Sequence, residues 1–555
     1  MRHILSSSRL FAVAAKSVCL LCFMLPAFSW SQEVYKYWVT FTDKDSSAYS
    51  LDRPAEFLSE RALQRRAKQR IMVDSLDLPV SGRYLQAVAD AGYGVQHRSR
   101  WFNAAVVYSA TDSLGARLAE LPCVQSVESI GAYSLTQPQL PTSPIDKTLH
   151  IRFIGEPYSP NYYRNGYDQI EQLSGVVLHR KGYQGQGILI GVCDGGFPGV
   201  DSVDSFDSLR RSGRLVATRD FVWEGDNVFS LNGHGTLVLS NLAANIPGFY
   251  VGTAPMASYV LCRTEDTYHE GLFEEYNWIA AAEYLDSLGV DLITSSLGYF
   301  YFDDSTTSHT LATLNGLTAP MTRAAEIAFS RGILVVNSAG NDGNKDPQHL
   351  NVPADAEHVL TVGAATREGV PAEFSSYGPT VDLRVKPDVM ALGQAVACVN
   401  QYGTITIASG TSMAGPIMAG MMACLMQRYP HLIPQQLCDS VRSWGSTSQF
   451  PDSRGGYGIP DFSRALPHDP TAGIQSALHP QHVTLSVTEM HRLVIRFEEA
   501  LTSPSEIVLI DIQGRECLRH PLRPHLATQR IDISALPAGF YVARIGSSSY
   551  KLRVE

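Results

Sequence analysis

Three side chains of types that act together in nucleophilic catalysis stand at the ends of predicted secondary-structure elements. Asp194 follows the apolar run ILIGVC, His234 begins a helix in NGHGTLVLSNLAA, and Ser412 begins another in GTSMAGP. Taken alone, each is more simply explained by a structural role: a strand-end cap for Asp194, a loop position for His234 and a helix N-cap for Ser412. Together they supply a hydroxyl nucleophile, an imidazole that removes its proton, and a carboxylate that orients the imidazole.

The order of these three residues narrows the class of hydrolase. Chymotrypsin-like chains run His, Asp, Ser, and α/β-hydrolases run Ser, Asp, His, whereas this chain runs Asp, His, Ser. The G-x-S-x-G turn of the α/β-hydrolases is also absent around Ser412. Both of those hydrolase classes are therefore excluded.

The elements that must position these residues are predicted from five apolar runs between residues 167 and 467. The runs are ILIGVCD, YVLCRT, DLITSSLG, ILVVNSAG and VLTVGAA, with helical stretches between them. Continuous rather than alternating apolarity means that both faces are buried, which predicts an α/β fold, a parallel sheet with helices on both faces. Sites in such sheets form at the carboxyl ends of the strands.

A small α+β domain is predicted for residues 33–135. Its strands are YKYWVTFT, WFNAAVVYSA and VQSVESI, and its first helix is expected to start with Asp52 as the cap and Pro54 in the first turn. Arg65 and Arg66 lie on that helix, where a solvated face is favoured over a dibasic processing site.

Two linkers and a tail complete the organisation. The proline-rich stretch SLTQPQLPTSP belongs to a linker over residues 136–166, and a second linker covers residues 468–481. Residues 482–555 contain short strands and turn residues, which predict a small β-sandwich.

The first 31 residues have basic positions, an apolar run and small residues near Ser31, which predicts a secretory signal peptide. An uncleaved membrane anchor is disfavoured because Lys16 interrupts a run already short for a span. No later segment is apolar enough to cross a membrane. A net charge of −10 and a pI near 5.9 argue against a nucleic-acid partner.

Seven cysteines remain after the predicted signal peptide, and they are scattered without paired spacing. Such a set is neither a disulfide framework nor a zinc site.

The motifs ILIGVCDGG, NGHGT, SSLG, NSAGNDG and GTSMAGP resemble the successive signatures of the subtilisin-like serine proteases, across about three hundred residues. The resemblance implies that Ser412 is the nucleophile, His234 the general acid and base, and Asp194 the residue that orients His234. No cofactor is implied for catalysis.

The same resemblance extends to substrate binding. It implies that the side-chain amide of Asn341 donates to the oxyanion, although a plain turn residue is the alternative. Two segments are implied to flank an extended peptide, namely Ser296, Leu297 and Gly298 on one side and Ser338, Ala339 and Gly340 on the other. Tyr299 departs from the family pattern, where another glycine is frequent.

The flanking domains also resemble known types. Residues 33–135 stand where the family carries an inhibitory propeptide, which implies autolysis between Val124 and Pro160. The tail is similar to sorting domains of the type IX secretion system of Gram-negative bacteria, although a generic adhesive β-sandwich is the alternative. The resemblance implies a protein that passes through the periplasm and becomes secreted or attached to the cell surface.

The segment RTEDTYHEGLFEEYNW carries five carboxylates between Glu265 and Glu275. A solvated helix start is favoured, while attraction of basic substrates and binding of a structural calcium ion remain alternatives.

These observations lead to one expected function with two rivals. The expected function is a secreted serine endopeptidase, made as a zymogen, whose partners are peptide or protein substrates, its own propeptide and the type IX machinery. The rivals are an inactive surface adhesin on the same scaffold and an esterase that uses the same residues.

Overall fold

The structure of the chain is a computed structural model, and it describes residues 33–45, 47–111, 115–134, 153–466, 483–487, 492–497, 505–511, 515–523, 526, 528–545 and 548–554. The predicted signal peptide and most of the two predicted linkers lie outside these residues. Among the described residues, no helix is long and apolar enough to span a membrane.

The N-terminal part forms a four-stranded sheet in the order β2-β3-β1-β4, with every adjacent pair antiparallel. Its elements are β1 (Glu33–Phe41), α1 (Glu60–Gln69), α2 (Gly82–Asp90), β2 (Gly94–Ser99), β3 (Ala104–Ser109), α3 (Ala116–Ala119) and β4 (Val124–Ser134). The predicted strands and helices are present, but β2 was not predicted, because GVQHRS lacks an apolar alternation.

The predicted start of the first helix is wrong. Residues Pro54–Glu56 form a separate 3-10 turn, and α1 begins later with Ser59 as its cap, whose side chain accepts from the Ala62 N–H. Asp52 therefore caps no helix, because Arg53 is the residue that precedes the Pro54 turn and Ser59 is the cap of α1.

The prediction of a solvated face for Arg65 and Arg66 is also wrong. Both are buried where α1 meets the central part of the chain, and both guanidinium groups bond the carboxylate of Asp286. Arg66 also donates to Asp77 at 2.7 Å. A charge that is buried requires a partner of opposite charge, and the partner lies more than 200 positions further along the chain.

The central part contains a seven-stranded sheet in the order β13-β12-β11-β10-β5-β9-β6, in which every adjacent pair is parallel. Its strands are β5 (Leu189–Asp194), β6 (Leu215–Asp220), β9 (Ser258–Arg263), β10 (Leu292–Ser295), β11 (Leu334–Ser338), β12 (Leu360–Ala365) and β13 (Val389–Leu392). The five predicted strands are the inner five, so the predicted fold class is confirmed.

Short hairpins and helices surround this sheet. The hairpins are β7 (Asn245–Ile246) with β8 (Tyr250–Val251) and β14 (Val396–Val399) with β15 (Ile405–Ala408). The helices are α4 (Pro160–Tyr163), α5 (Tyr167–Gln172), α6 (Val176–Arg180), α7 (Asp207–Arg211), α8 (His234–Ala243), α9 (Phe273–Leu288), α10 (Pro320–Ser330), α11 (Thr411–Arg428) and α12 (Pro434–Ser443).

The two faces of the sheet pack into separate cores. Helices α8 and α11 cover one face, and α9 and α10 cover the other together with Trp38 and Trp101 of the N-terminal part. The N-terminal sheet therefore packs directly against α9. Residues Cys123, Cys193, Cys262, Cys398, Cys424, Cys438 and Cys517 are all free thiols.

The C-terminal part consists of strands, as predicted. They are β16 (Val483–Val487), β17 (Arg492–Phe497), β18 (Ser505–Asp511), β19 (Glu516–Leu522), β20 (Thr528–Asp532), β21 (Gly539–Ile545) and β22 (Ser548–Val554). One sheet has the order β16-β17-β20 and the other β19-β18-β21-β22, with a shared apolar core between them.

Candidate active site

Asp194 and His234 are in direct contact, as the sequence predicts. Asp194 is the last residue of β5 and is fully buried, and its Oδ1 and Oδ2 lie 2.9 and 3.1 Å from His234 Nδ1. The N–H of Gly195 donates to Asp194 Oδ1 at 2.8 Å, which fixes the carboxylate. His234 is the first residue of α8, and its own N–H donates to Asn232 Oδ1 at 2.9 Å.

The contact also determines which nitrogen of His234 is free. Nδ1 faces a carboxylate and therefore carries the proton, so Nε2 is left as the basic nitrogen. Burial lowers the pKa of His234, but the charge and hydrogen bond of Asp194 and the charge of Glu265 outweigh it and raise that pKa above 6.5. Asp194 thus orients the ring and stabilises its protonated form.

Close packing next to the Asp194–His234 contact requires glycine at position 235. A Cβ at this position would lie 2.3 Å from the Gly196 carbonyl oxygen and 3.0 Å from Asp194 Cβ. Only glycine lets the start of α8 approach the end of β5 this closely.

Ser412 is the second residue of α11 and is not its cap. Gly410 precedes the helix, and no side chain caps it. The N-cap alternative for Ser412 is therefore wrong, because its hydroxyl donates instead to the Ser296 carbonyl oxygen at 3.2 Å. Its position at the helix start is as predicted.

Ser296 and Pro416 explain how this helix start is held. Pro416 has no N–H, so the carbonyl of Ser412, four residues earlier, lacks its helical partner. The Ser296 hydroxyl donates to that carbonyl at 2.9 Å. Pro416 in the motif is the signal from which this external donor could have been predicted.

Asn341 and the backbone of Ser412 present two hydrogen-bond donors at the same place. Asn341 Oδ1 accepts from the Thr411 N–H at 2.9 Å, which turns Nδ2 of that amide away from the helix. Of the described residues, none accepts from Asn341 Nδ2 or from the Ser412 N–H. Both nitrogens lie 3.7 Å from one point, the position that a Cβ on Gly410 would take.

The sequence-predicted residues meet at one cavity of about 510 Å³. Its lining includes Asp194, His234, Ser412, Asn341, Ser296, Leu297, Gly298, Ser338 and Gly340. Ala339 does not line it, since its side chain is fully buried. Its N–H donates to Val362 and its carbonyl accepts from Asn351, so substrate contact by Ala339 stays a prediction.

The acidic segment after β9 is not a solvated helix start. Asp266, Glu274 and Glu275 are buried, and Glu274 accepts from the N–H groups of Asp266 and Gly271 at 2.7 and 2.9 Å. That prediction is therefore wrong, because the carboxylates serve as acceptors within the fold. Among the described residues, no group of three or more His, Cys, Asp or Glu side chains is arranged to hold a metal ion.

Burial changes the charge of this segment where it lines the cavity. Burial and neighbouring carboxylates raise the pKa of Glu265, against the hydrogen bond from the Tyr299 hydroxyl, and they raise that of Glu274 as well. Both groups are therefore harder to ionise than free carboxylates, which makes the cavity less negative than its carboxylates suggest. Attraction of basic substrates stays a prediction.

Comparisons with known proteins agree with this geometry. A sequence model described as the subtilase family matches residues 185–458. A model of the peptidase S8 propeptide domain of Bacteroidota matches residues 36–143, and one of a secretion system C-terminal sorting domain matches residues 490–554. The sorting interpretation of the tail is thereby confirmed over the adhesive alternative.

Individual relatives match the same central region. Subtilisin DY of Bacillus licheniformis is 30% identical over 269 residues, which cover 48% of this chain and 86% of the relative. Serine protease AprX of Bacillus subtilis is 30% identical over 306 residues, and the match spans 63% of its length.

A solved structure extends the likeness of the fold. The epidermin leader peptide processing serine protease of Staphylococcus aureus has a TM-score of 0.52 at 17% identity, covering 78% of this chain and 97% of that one. At this identity the match shows the fold alone. The family models and subtilisin DY place this chain in the subtilase family of serine endopeptidases, with a propeptide domain and a secretion sorting domain.

Proposed function

We propose that this chain is a secreted serine endopeptidase that hydrolyses peptide bonds through an acyl-enzyme on Ser412 and processes its own precursor. The observation that carries the proposal is the Asp194–His234 contact in one cavity with Ser412 and two N–H donors that have no acceptor among the described residues. An inactive scaffold would need neither the Asp194–His234 contact nor the two N–H donors that lack an acceptor among the described residues.

Catalysis begins when the Ser412 hydroxyl turns from the Ser296 carbonyl oxygen to His234. Nε2 takes the proton as Oγ attacks the substrate carbonyl, and the same nitrogen then gives the proton to the leaving amine. Asp194 stabilises the imidazolium that exists between these steps. Water then attacks the acyl-enzyme while His234 takes its proton, and His234 returns that proton to Ser412 as the carboxylic acid leaves.

The oxyanion is stabilised by Asn341 Nδ2 and the N–H of Ser412. Both donors are fixed before substrate binds, since the amide is held by Thr411 and the N–H by the helix start. One such donor contributes about 10²–10³ in rate, a magnitude that was measured on a subtilisin.

The substrate lies in an extended conformation between the segments Ser296–Gly298 and Ser338–Gly340. Peptides bound in this way add a strand and rely on main-chain hydrogen bonds. The buried Asn337 amide fixes the two segments to each other, since Nδ2 donates to the carbonyls of Leu297 and Ser338 at 3.0 and 2.8 Å.

The flanking domains set where and when the enzyme acts. The propeptide inhibits the peptidase domain until it is cleaved off, and the tail is the signal read by the type IX machinery. Export runs through the periplasm to the cell surface or the medium.

The proposal is tested by labelling with a fluorophosphonate, which reacts only with an activated serine. Oγ displaces fluoride from phosphorus while His234 takes the proton, so we expect one adduct per chain, located by mass spectrometry on Ser412. Ser296 is the internal control, because it lies in the same cavity but its hydroxyl is the donor that replaces the missing helical partner of the Ser412 carbonyl. An adduct on Ser296, or none on the folded protein, would contradict the proposal.

The raised pKa of His234 predicts the acid side of the pH profile. The general base must be neutral, so kcat/KM rises with pH through the pKa of His234 and is lost below it. We expect the midpoint above 6.5, because Asp194 and Glu265 favour the charged ring more than burial disfavours it. Measurement of kcat/KM from pH 5 to 9 checks this, and a midpoint at or below 6.5 would contradict the assigned contact.

A further inference from the structure

We infer that Asn351 limits the size of the substrate side chain at P1, the residue whose carbonyl is attacked. The inference rests on the proposed function, since it concerns the pocket beside Ser412. Asn351 lines the same cavity as Ser412 and was not among the residues predicted from the sequence.

The backbone places Asn351 between the two segments that flank the substrate. Its N–H donates to the Ala339 carbonyl oxygen at 3.2 Å, which attaches it to one segment. The next residue, Val352, exchanges two hydrogen bonds with Tyr299 at 3.0 and 3.1 Å, which attaches it to the other. Asn351 therefore closes the gap between the two segments.

The glycines of both segments show how narrow this gap is. A Cβ on Gly298 would lie 2.8 Å from Asn351 Cβ, and a Cβ on Gly340 would lie 2.9 Å from Asn351 Cγ. Both distances are shorter than atoms tolerate, so the Asn351 side chain already touches both walls. A bulky substrate side chain cannot enter this gap while Asn351 remains there.

Neighbouring side chains hold Asn351 in this position. His349 Nδ1 lies 3.1 Å from Asn351 Oδ1 and 3.2 Å from the Leu350 carbonyl oxygen, so Nδ1 carries the proton and donates to both acceptors. The His349 ring is only 3% exposed and stacks on Phe300 with 3.7 Å between centroids. Rotation of Asn351 out of the gap would break these contacts.

The orientation of the amide also gives the pocket a polar floor. With Oδ1 held by His349, Nδ2 points toward the Gly298 carbonyl oxygen at 3.4 Å and keeps a second N–H for the cavity. The pocket thus suits a small P1 side chain such as that of alanine or serine and rejects phenylalanine and tyrosine. A difference of a single methylene group in a pocket already changes kcat/KM by about 10- to 200-fold.

The experiment compares peptide p-nitroanilides that differ only at P1, with alanine or phenylalanine, on the full chain and on Asn351→Gly. We expect kcat/KM of the parent to favour alanine at least about tenfold. Asn351→Gly should shift the ratio of kcat/KM for phenylalanine to that for alanine about tenfold or more toward phenylalanine. Asn351→Leu, which keeps the gap filled, should still reject phenylalanine.

Two controls keep the outcomes distinct. Asn344→Gly alters an exposed asparagine outside the cavity and should leave the ratio unchanged. Active-site titration with the fluorophosphonate corrects every variant for its folded fraction. The inference is overturned if fully titrating parent and Asn351→Gly show the same alanine to phenylalanine ratio, whereas absence of any titration or hydrolysis overturns the proposed function instead.

Discussion

Replacing Ser412 with alanine is expected to abolish peptide hydrolysis and to leave the chain as an uncleaved precursor. The change removes only the Oγ that attacks the carbonyl and keeps the helix start, the Asn341 amide and the Asp194–His234 contact. The expected loss in kcat is about 10⁶-fold, the scale measured when the nucleophile of a subtilisin was removed. Initial rates on peptide p-nitroanilides and the mass of the purified chain measure the two effects.

The two readouts separate an active enzyme from a chain processed by others. If both hydrolysis and cleavage persist, Ser412 is not the nucleophile. If hydrolysis is lost but the precursor is still cleaved, another protease removes the propeptide and self-processing is refuted. Ser330→Ala is the matched control, because Ser330 is exposed at the end of α10 and bonds only the Ile327 carbonyl.

A comparison of amide with ester substrates addresses the esterase rival. Both reactions use the same nucleophile, but only amide hydrolysis requires His234 to protonate a poor leaving amine. The same enzyme preparation can be used for both substrates. Ester turnover without amide turnover would assign the chain to the rival.

The candidate site was predictable because each of its chemical side chains lies next to a strand or helix that short local sequence patterns identify. Asp194 directly follows a buried strand, and His234 and Ser412 directly start helices. The carboxyl ends of parallel strands lie at one edge of the sheet, so residues at these positions come together independently of the rest of the chain. The five inner strands were predictable for the same reason, since burial on both faces leaves continuous apolar runs.

The features that were missed depend on contacts between distant parts of the chain. The burial of Arg65 and Arg66 is decided by Asp286 in another domain, and nothing near the two arginines in sequence indicates it. Strands β6 and β13 lie at the two edges of the sheet, where each pairs with one neighbour only. Their apolar sequence patterns are weaker than those of the five inner strands. Asn351 reaches the site only because Val352 pairs with Tyr299 across about fifty residues.

Asp286→Asn is expected to destabilise the precursor by about 3–5 kcal/mol at neutral pH, the cost of removing one partner from a buried ion pair. Asp286 is fully buried on α9 and binds three arginines of the propeptide, with distances of 2.8 Å to Arg66 and 2.6 Å to Arg100 and a further bond to Arg65. The asparagine keeps the shape but leaves these buried cations without their common counter-charge. Propeptide and peptidase domains should therefore separate more readily.

The background for this measurement is the Ser412→Ala chain, in which the propeptide cannot be cleaved off by Ser412. Guanidinium unfolding is followed by tryptophan fluorescence, because Trp38 and Trp101 are buried in the contact between the domains. The matched control is Asp226→Asn, whose exposed pair with Arg219 at 3.5 Å contributes about 0–1 kcal/mol. Equal effects of Asp286→Asn and Asp226→Asn would refute the role of Asp286.

The pH dependence of the Asp286 effect gives an independent check. Burial raises the pKa of Asp286, but Arg100, Arg65 and Arg66 outweigh it and lower that pKa below 3.8. A carboxylate with a depressed folded-state pKa stabilises the fold fully above its unfolded pKa, and this stabilisation is lost as the pH falls through the folded-state pKa. The difference in free energy of unfolding between Asp286→Asn and its parent should therefore be constant above about pH 5 and shrink below about pH 4. A difference that instead grew toward low pH would mean that the arginines are held by other carboxylates, and Asp286 would not be the residue that secures the propeptide.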